Sequence, residues 1–485
     1  MRSIIIIITM LIAICSILAQ GMTLESFLDT LITRHPIFEV EDYSTEIARL
    51  EQEGTLGYLD WAFSSGSYYS YSKPLQTSSF GAEEMLSIGI NAIAQKKIES
   101  TGGTVSAGFS TGYTDQKLLD MTIPMSPEPM IISSGPSYFY NNSISANYTQ
   151  PLIQNYRGNL DRLGYDLGQY YIDMARLEAV ENEENFVLSM ATRYIDWTLM
   201  VEQVAITRRR LDLAKEQLER TERMRDANLI DRVDILRAED AVRGAKHNLV
   251  LLESQEQAVR EELSVMIACE RLCKSRPEFD LYEIEELPDL EVLGKEIREN
   301  SRLIATMRKQ LDIIARQRES YIEMERPILN LDLEAGIHKA DGDFIESWIL
   351  NRPELSLSLQ YIPNIGRTEL ESNIQAVDVQ MLQLENSIEQ TAISIEASAR
   401  NLLVQIKNME IVLEMNLEQI ESAEQKTVEE IKLWENGRGQ LNFVIQSRDS
   451  EQSAKFTYAQ NAATYHKMVL QFRSLMDDLY GETLQ

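Results

Sequence analysis

The sequence predicts a mainly α protein with a small β part. It reads as long antiparallel coiled-coil helical hairpins plus four strands per chain, the strands contributing to a transmembrane β-barrel shared between copies. Three observations predict this. Apolar residues recur every seventh position over long stretches. Two alternating runs, SANYTQPLIQNYRGNL (145–160) and LSLSLQYIPNIGRTEL (355–370), stop at a proline and give way to a helical pattern. The arrangement also occurs twice, so the chain carries an internal duplication.

The first residues, MRSIIIIITMLIAICSILAQG, place Arg2 before an apolar block from Ile4 to Leu18 and end on a small-x-small cleavage site, Ala19-Gln20-Gly21. This is a secretory signal-peptide pattern, so residues 1–21 are expected to be removed and the mature chain exported. No later stretch reaches the ~18 consecutive apolar residues of a membrane helix. The full chain carries a formal charge of −30. Such acidity repels nucleic acid and excludes it as a partner. It fits either a solvated acidic surface or an acidic lumen that favours cations.

Each half begins with a broken short helix: TLESFLDTLITRHPIF (23–38) mirrors DLEVLGKEIRENSRLI (289–304), setting Pro36 against Ser301. Those two lie 265 residues apart, whereas the junction prolines Pro151 and Pro363 lie 212 apart. The first half therefore carries roughly fifty extra residues, which fit the Ser/Gly/Tyr-rich stretch 61–103 and a Pro-rich loop, 116–141. Within the former, 61–72 (WAFSSGSYYSYS) is strand-like but has no clear partner.

Four stretches alternate: 104–114, 143–150, 328–337 and 355–361. On the last, Leu355, Leu357, Leu359 and Tyr361 share one face, and Ser356, Ser358 and Gln360 the other. Aromatics stand in or near the loops: Tyr138, Phe139, Tyr140, Phe344 and Trp348. Such segments suit a transmembrane barrel; a soluble sheet with one solvated face is the other reading. Four strands cannot close a membrane barrel, and an unpaired edge cannot face lipid. The barrel must then be shared. Two chains would give eight strands around a filled interior, and three would give twelve with room for a channel.

After each junction come long helical hairpins. Met190, Trp197, Val204, Leu211 and Leu218 repeat by sevens, as do Ile374, Met381, Ile388, Ile395, Leu402 and Met409. On the return helices the rows are Ile235, Val242, Leu249 and Leu263, with Ala238, Ala245, Leu252, Val259 and Met266 beside them, and Tyr458, Tyr465, Phe472 and Leu479. The first turn is Asn228-Leu229-Ile230-Asp231, where Asn228 can adopt the left-handed conformation and Asp231 can cap the next helix. At the second, Asn436-Gly437-Arg438-Gly439, the glycines supply that freedom. Cys269 and Cys273, four apart at a helix end, are either an idle or a structural pair.

Chemistry has little to work with. His35, His247, His338 and His466 are dispersed without metal-ligand spacing, and no phosphate-cradling glycine loop or Gly-x-Ser-x-Gly elbow occurs. No enzyme activity and no cofactor are expected.

At these residues the chain resembles the TolC-like outer-membrane efflux protein (outer membrane factor) family over nearly its whole mature length. The family's strand-end pattern is carried by Pro151-Leu152 with Gly158, and its start pattern by His35-Pro36. Its tip pattern is carried by Asn228-Leu229 with Asp234-Ile235-Leu236 and Ala238, and again by Gly437 with Val444-Ile445. The resemblance implies a homotrimer whose twelve-stranded barrel in outer-membrane lipid continues into a periplasmic helical barrel. It implies an exit duct for an inner-membrane transporter of an efflux pump or type I secretion system, joined by a periplasmic adaptor at the tips: Asn228, Leu229, Ile230, Asp231, Gly437, Arg438 and Gly439. Some family members narrow the pore with paired aspartates, and here those positions hold Phe443 and Gln446. Phe443 is then either an apolar constriction or helix-packing core, and Asp449, one turn on, is a weak substitute. The expected organisation is a signal (1–21), a first repeat (22–284, hairpin about 156–268) and a second (285–485, hairpin about 366–480). A periplasmic structural coiled-coil protein outside the membrane is the competing expectation.

Overall fold

A computed structural model describes residues 21–74, 82–118, 121–123, 130–132, 137–227, 230–269, 275–288 and 293–480. The signal block up to Gln20, the tip residues Asn228 and Leu229, and Cys273 lie outside the described residues. The chain divides into two compact units. One comprises residues 46–174 and 308–385, the other 1–45, 175–307 and 386–485.

The first unit holds the sheet. Its order is β1 (Ala62–Ser72), β2 (Ala82–Ile98), β3 (Gly103–Leu118), β6 (Ser137–Pro151), β7 (Ile328–Asp341), β8 (Arg352–Ile362), every neighbouring pair antiparallel. A small hairpin, β4 (Met121–Ile123) with β5 (Met130–Ile132), lies between β3 and β6 in sequence. The four expected strands are all present, and the expected count is corrected from four to six. The Ser/Gly/Tyr-rich extra residues form an added hairpin, β1–β2, on the β3 edge. The reason is visible in the register: β1 sets Phe63, Tyr69 and Tyr71 opposite Ala94, Ile88 and Leu86, which supplies the apolar cross-strand pairs that stabilise a ladder. Pro151 is the last residue of β6 and Pro363 directly follows β8, as expected of a residue without a ladder donor.

Ends of four helices complete this unit: α2 (Pro36–Gly54), α3 (Leu163–Asp226), α6 (Arg302–Glu325) and α8 (Thr368–Glu435). Gln52 donates to the Tyr165 carbonyl at 3.0 Å, Arg316 pairs with Asp166 at 2.8 Å, and Arg318 with Asp378 at 2.5 Å. Pro36 opens α2, where its missing N–H costs nothing. The mirrored break falls at Ser301, between α5 (Leu293–Asn300) and α6.

The second unit is helical. It contains α1 (Leu24–Arg34), α4 (Arg232–Met266), α5, α9 (Leu441–Leu475) and the remaining lengths of α2, α3, α6 and α8. Helices α3 and α8 have 64 and 68 residues, about 100 Å each at ~1.5 Å per residue. Met190, Trp197 and Leu211 are buried as the heptads require. In α8 the fully buried row is Ala392, Ala399, Ile406 and Leu413. Ile388, Ile395, Leu402 and Met409 flank it half-buried. Alanines let backbones approach closely, so they take the seam and the larger side chains close over it. Trp197 meets Tyr194 edge-on at 5.8 Å, and Phe27, Leu263 and Tyr465 belong to the same core, all at 0% exposure.

Candidate functional site: a two-faced sheet and the hairpin tips

Alternation and register together sort the six strands into two chemically distinct faces. One face carries Phe63 and Tyr69 on β1, Leu86, Ile88 and Ile90 on β2, and Ala107 and Phe109 on β3. It continues through Ile144 and Ala146 on β6, Leu331, Leu333 and Ile337 on β7, and Leu355, Leu357 and Leu359 on β8. This face is exposed over much of its area; Leu357 keeps 68% of its surface accessible. Aromatics edge the band on both sides. Tyr148, Tyr361, Phe63 and Trp61 stand where the helices begin, and Tyr69, Tyr71, Tyr113 and Tyr140 at the far end. The span from Tyr140 to Tyr148 along β6 is about 26 Å at ~3.3 Å per residue, which at the ~35–45° tilt of outer-membrane strands covers about 20 Å of a ~25 Å apolar band. At the far rim the short helix α7 (Phe344–Ser347) folds back on this face. There Trp348 stacks on Phe109 at 5.6 Å, and Asn142 Nδ2 donates to Ser347 Oγ at 2.8 Å.

The opposite face is small and polar: Ser87, Asn91, Ser106, Gly108, Ser110, Asn147, Asp332, Glu334, Ser356 and Ser358. Thr149 Oγ1 donates to Asp332 at 2.6 Å, and Ser110 and Ser143 share a 2.8 Å hydrogen bond. Asp332, Glu334 and Glu354 give it an acidic character.

In the helical unit the second tip is a C-terminal cap built on glycine. Gly437 has φ 71°, its N–H donates to the Trp434 carbonyl at 3.0 Å, and the Arg438 N–H to the Leu433 carbonyl at 2.9 Å. That pair of bonds is the Schellman arrangement. A Cβ on Gly439 would stand 2.9 Å from the Trp434 nitrogen, so both glycines are required by the turn. Arg438 is exposed. At the first tip Ile230 is half-buried. Asp231 holds the cap position of α4, but its side chain makes no capping bond; its carbonyl accepts from Asp234 N–H at 3.1 Å.

Both tips rest on one apolar cluster, Ala238, Trp434, Leu441 and Val444. Ala238 and Val444 belong to the tip patterns singled out in the sequence. Trp434 was missed, and its signal was its place in the last turn of α8. Phe443, Gln446 and Asp449 lie three apart on one face of α9 and are all exposed. Phe443, at 48%, is therefore not core packing within the chain. Asp449 is paired with Arg210, next to the buried Arg448, whose Nε and Nη1 have no hydrogen-bond partner. Burial first, then the Arg210 charge, pushes the Arg448 guanidinium down.

A second charge cluster ties α3, α6 and the C-terminal segment. Arg302 pairs with Glu184 and, at 3.0 Å, with Asp477, and its N–H donates to Asp477 at 2.7 Å. Burial holds the Asp477 carboxyl above its ordinary range despite Arg302. Cys269 is a free, half-buried thiol. Among the described residues no cluster of His, Cys, Asp or Glu could hold a metal ion, and no helix is long and apolar enough to cross a membrane.

No family model matches the chain, and no curated relative does. Solved structures do. The outer membrane protein VceC of Vibrio cholerae aligns over 94% of this chain and 96% of its own at 11% identity, with a TM-score of 0.63. The outer membrane channel CmeC of Campylobacter jejuni aligns over 95% and 87% at 10% identity and 0.61. The MtrE outer membrane channel of Neisseria gonorrhoeae, in its open state, aligns over 96% and 91% at 12% identity and 0.62. The expected resemblance holds at the level of architecture: from its broken first helix to its last long one, this chain has the fold of the outer-membrane factor channels.

Proposed function

We propose that the chain is the outer-membrane exit duct of an efflux pump or type I secretion system, conducting passively and without catalysis. The single observation that carries this is the two-faced sheet, with an exposed apolar band rimmed by aromatics on one side and a polar, acidic face on the other. A water-soluble sheet has no use for an uncovered apolar face of that extent. A sheet between lipid and a water-filled lumen requires it. On this reading residues 1–21 export the chain, 22–284 and 285–485 are its two repeats, and the helices stand in the periplasm.

The working form is a homotrimer. Ile393, Val404 and Met415 lie along α8 at intervals of eleven residues, each about half or more exposed. An eleven-residue interval is nearly three full helical turns and gives a straight stripe. A second copy of the chain is the occupant that repeats along a straight rod. Partners beyond the trimer are a periplasmic adaptor docking on the tips (230–231 and Gly437–Gly439, with Asn228 and Leu229), and an inner-membrane transporter. Phe443 and Gln446, facing outward on α9, are candidates for a pore constriction.

Fractionation tests the reading. The duct should stay with outer membranes until detergent is added and then run as an oligomer forming cation-preferring channels in planar bilayers. Release as a soluble protein by osmotic shock would favour the periplasmic coiled-coil reading and sink this one.

A further inference from the structure

We propose that the membrane barrel is built from six strands per chain, closed by pairing β1 of one copy with β8 of the next, so that three copies form an eighteen-stranded wall. This rests on the outer-membrane reading above. It departs from the twelve-stranded expectation, because β2 already occupies the β3 edge along its length.

The added hairpin is part of the wall and not an appendage. Its apolar residues fall on the same face as those of the other four strands, with the same aromatic rim. Tyr68 of β1 lies across the polar face over two glycines. A Cβ at Gly89 on β2 would stand 2.6 Å from its ring, and one at Gly112 on β3 would stand 3.0 Å from its hydroxyl. An aromatic covering glycines on its neighbours pins register across three strands. The β2–β3 turn is seated on the strand-to-helix junction. Gly102 and Gly158 both have positive φ, and a Cβ at Gly102 would be 2.3 Å from the Gly158 nitrogen. Lys97 at the end of β2 pairs with Asp161.

The two outermost strands match one another. β1 and β8 each have 11 residues, and both are exposed along nearly their whole length. β1 runs away from the helix-bearing end and β8 runs back toward it, so one set beside the other makes an antiparallel pair. With the ends aligned, Ser67 faces Leu357, and both belong to the apolar side. Unpaired N–H and C=O groups cannot face hydrocarbon. Six strands are also too few to close on themselves, since membrane barrels begin at eight. The occupant of each edge is therefore the other edge of a second copy. Eighteen strands give a porin-sized ring with an aqueous interior.

Disulfide trapping in the intact protein tests this. In a background with Cys269 and Cys273 replaced by serine, Ser70→Cys on β1 is combined in turn with Glu354→Cys, Ser356→Cys and Ser358→Cys on β8. The competing set combines Ser110→Cys on β3 with the same β8 positions. All lie on the polar face, and the three β8 positions cover neighbouring registers. The expected result is a ladder of covalent dimer and trimer on non-reducing gels for a Ser70 pair, at least tenfold above any Ser110 pair. Cross-linking by Ser110 pairs alone would overturn the proposal while leaving a shared barrel of four strands per chain. No cross-link from protein that only detergent extracts would also overturn it, with the membrane reading intact. No cross-link from protein released by osmotic shock would overturn both. Counting strands in a cross-section of the detergent-solubilised oligomer by electron cryo-microscopy, eighteen against twelve, decides independently.

Discussion

The buried guanidinium of Arg210 on α3 reaches outward to the exposed carboxylate of Asp449 on α9, Nη2 to Oδ1 at 2.6 Å and Nε to Oδ1 at 3.1 Å. This pair joins the two hairpins and sits beside Arg448, a second buried cation. Replacing Asp449 with alanine leaves two neighbouring guanidiniums without that carboxylate. Because Asp449 is largely exposed, the expected loss is about 1 kcal/mol and not the full cost of a buried pair. Arg210→Met also removes the repulsion felt by Arg448, so it should cost less than Asp449→Ala. Urea unfolding followed by far-ultraviolet circular dichroism compares them, and the reverse ranking contradicts the account.

Arg302, at 13% exposure, meets carboxylates far better shielded than Asp449: Glu184 is 2% exposed and Asp477 13%. Arg302→Met strands both carboxylates in a dry site, for an expected loss of about 3–5 kcal/mol. A large drop in the urea midpoint should accompany it. The double change Arg302→Met with Glu184→Met should recover part of the drop, and no recovery would argue that the side chain acts only by packing.

The two faces of β8 should respond oppositely to one substitution. Leu357→Arg places a cation on the proposed lipid side near mid-strand, at a cost of about 2–4 kcal/mol. Ser358→Arg places it on the polar side, where it should leave assembly intact and reduce cation preference. Heat-resistant oligomer on mildly denaturing gels reads the first effect, and reversal potential the second. Equal tolerance of both arginines would remove the two-faced sheet from the argument.

At the second tip, fold and docking must be separated. Gly437→Val strains a left-handed residue by about 1–2 kcal/mol, and Gly439→Val drives a side chain into the Trp434 backbone. On the exit-duct reading, that double variant would lose efflux through a broken cap whether or not an adaptor binds there. Arg438→Glu touches neither cap bond. It is expected to keep the oligomer and reduce efflux of a toxic dye at least several-fold, and unimpaired export would take Arg438 out of the docking surface.

Acid should weaken the helical unit through Glu285. His466, 3.8 Å from its carboxylate, and Arg473, which donates at 2.5 Å, hold that carboxyl below its ordinary range against the opposing effect of burial. A depressed folded-state pKa contributes stability above the unfolded value of about 4.3 and loses it as pH falls through the folded value. Glu285→Gln should therefore be less stable than the parent at pH 7. The gap should close progressively below about pH 4; a gap constant down to pH 2 would rule this linkage out.

The helices were legible because coiled-coil seams repeat where no compact core would. Even so, the periodic rows placed the α8 seam on the neighbouring heptad row, four residues before the buried one, since Ala392 and Ala399 carry no bulk to betray them. β8 was legible from its strict Leu/Ser alternation. β1 was legible as a strand over 61–72 but not in its pairing: serines and tyrosines occupy both of its faces, and its apolar side appears only when Phe63, Tyr69 and Tyr71 meet Ala94, Ile88 and Leu86 across the ladder. The second tip was legible as a turn from its glycines and the first from Asn228 and Asp231, but Trp434 beneath them became recognisable only once α9 had folded back to bring Leu441 and Val444 against it.

The hairpin pinned by Tyr68 has a further consequence for ancestry. In the proposed barrel a hairpin adds strands in twos, so the chain comes back to the side it left, and neither terminus would be stranded across the bilayer. Circumference would then be a property that a lineage can alter by inserting one hairpin, leaving the topology of every other stave untouched.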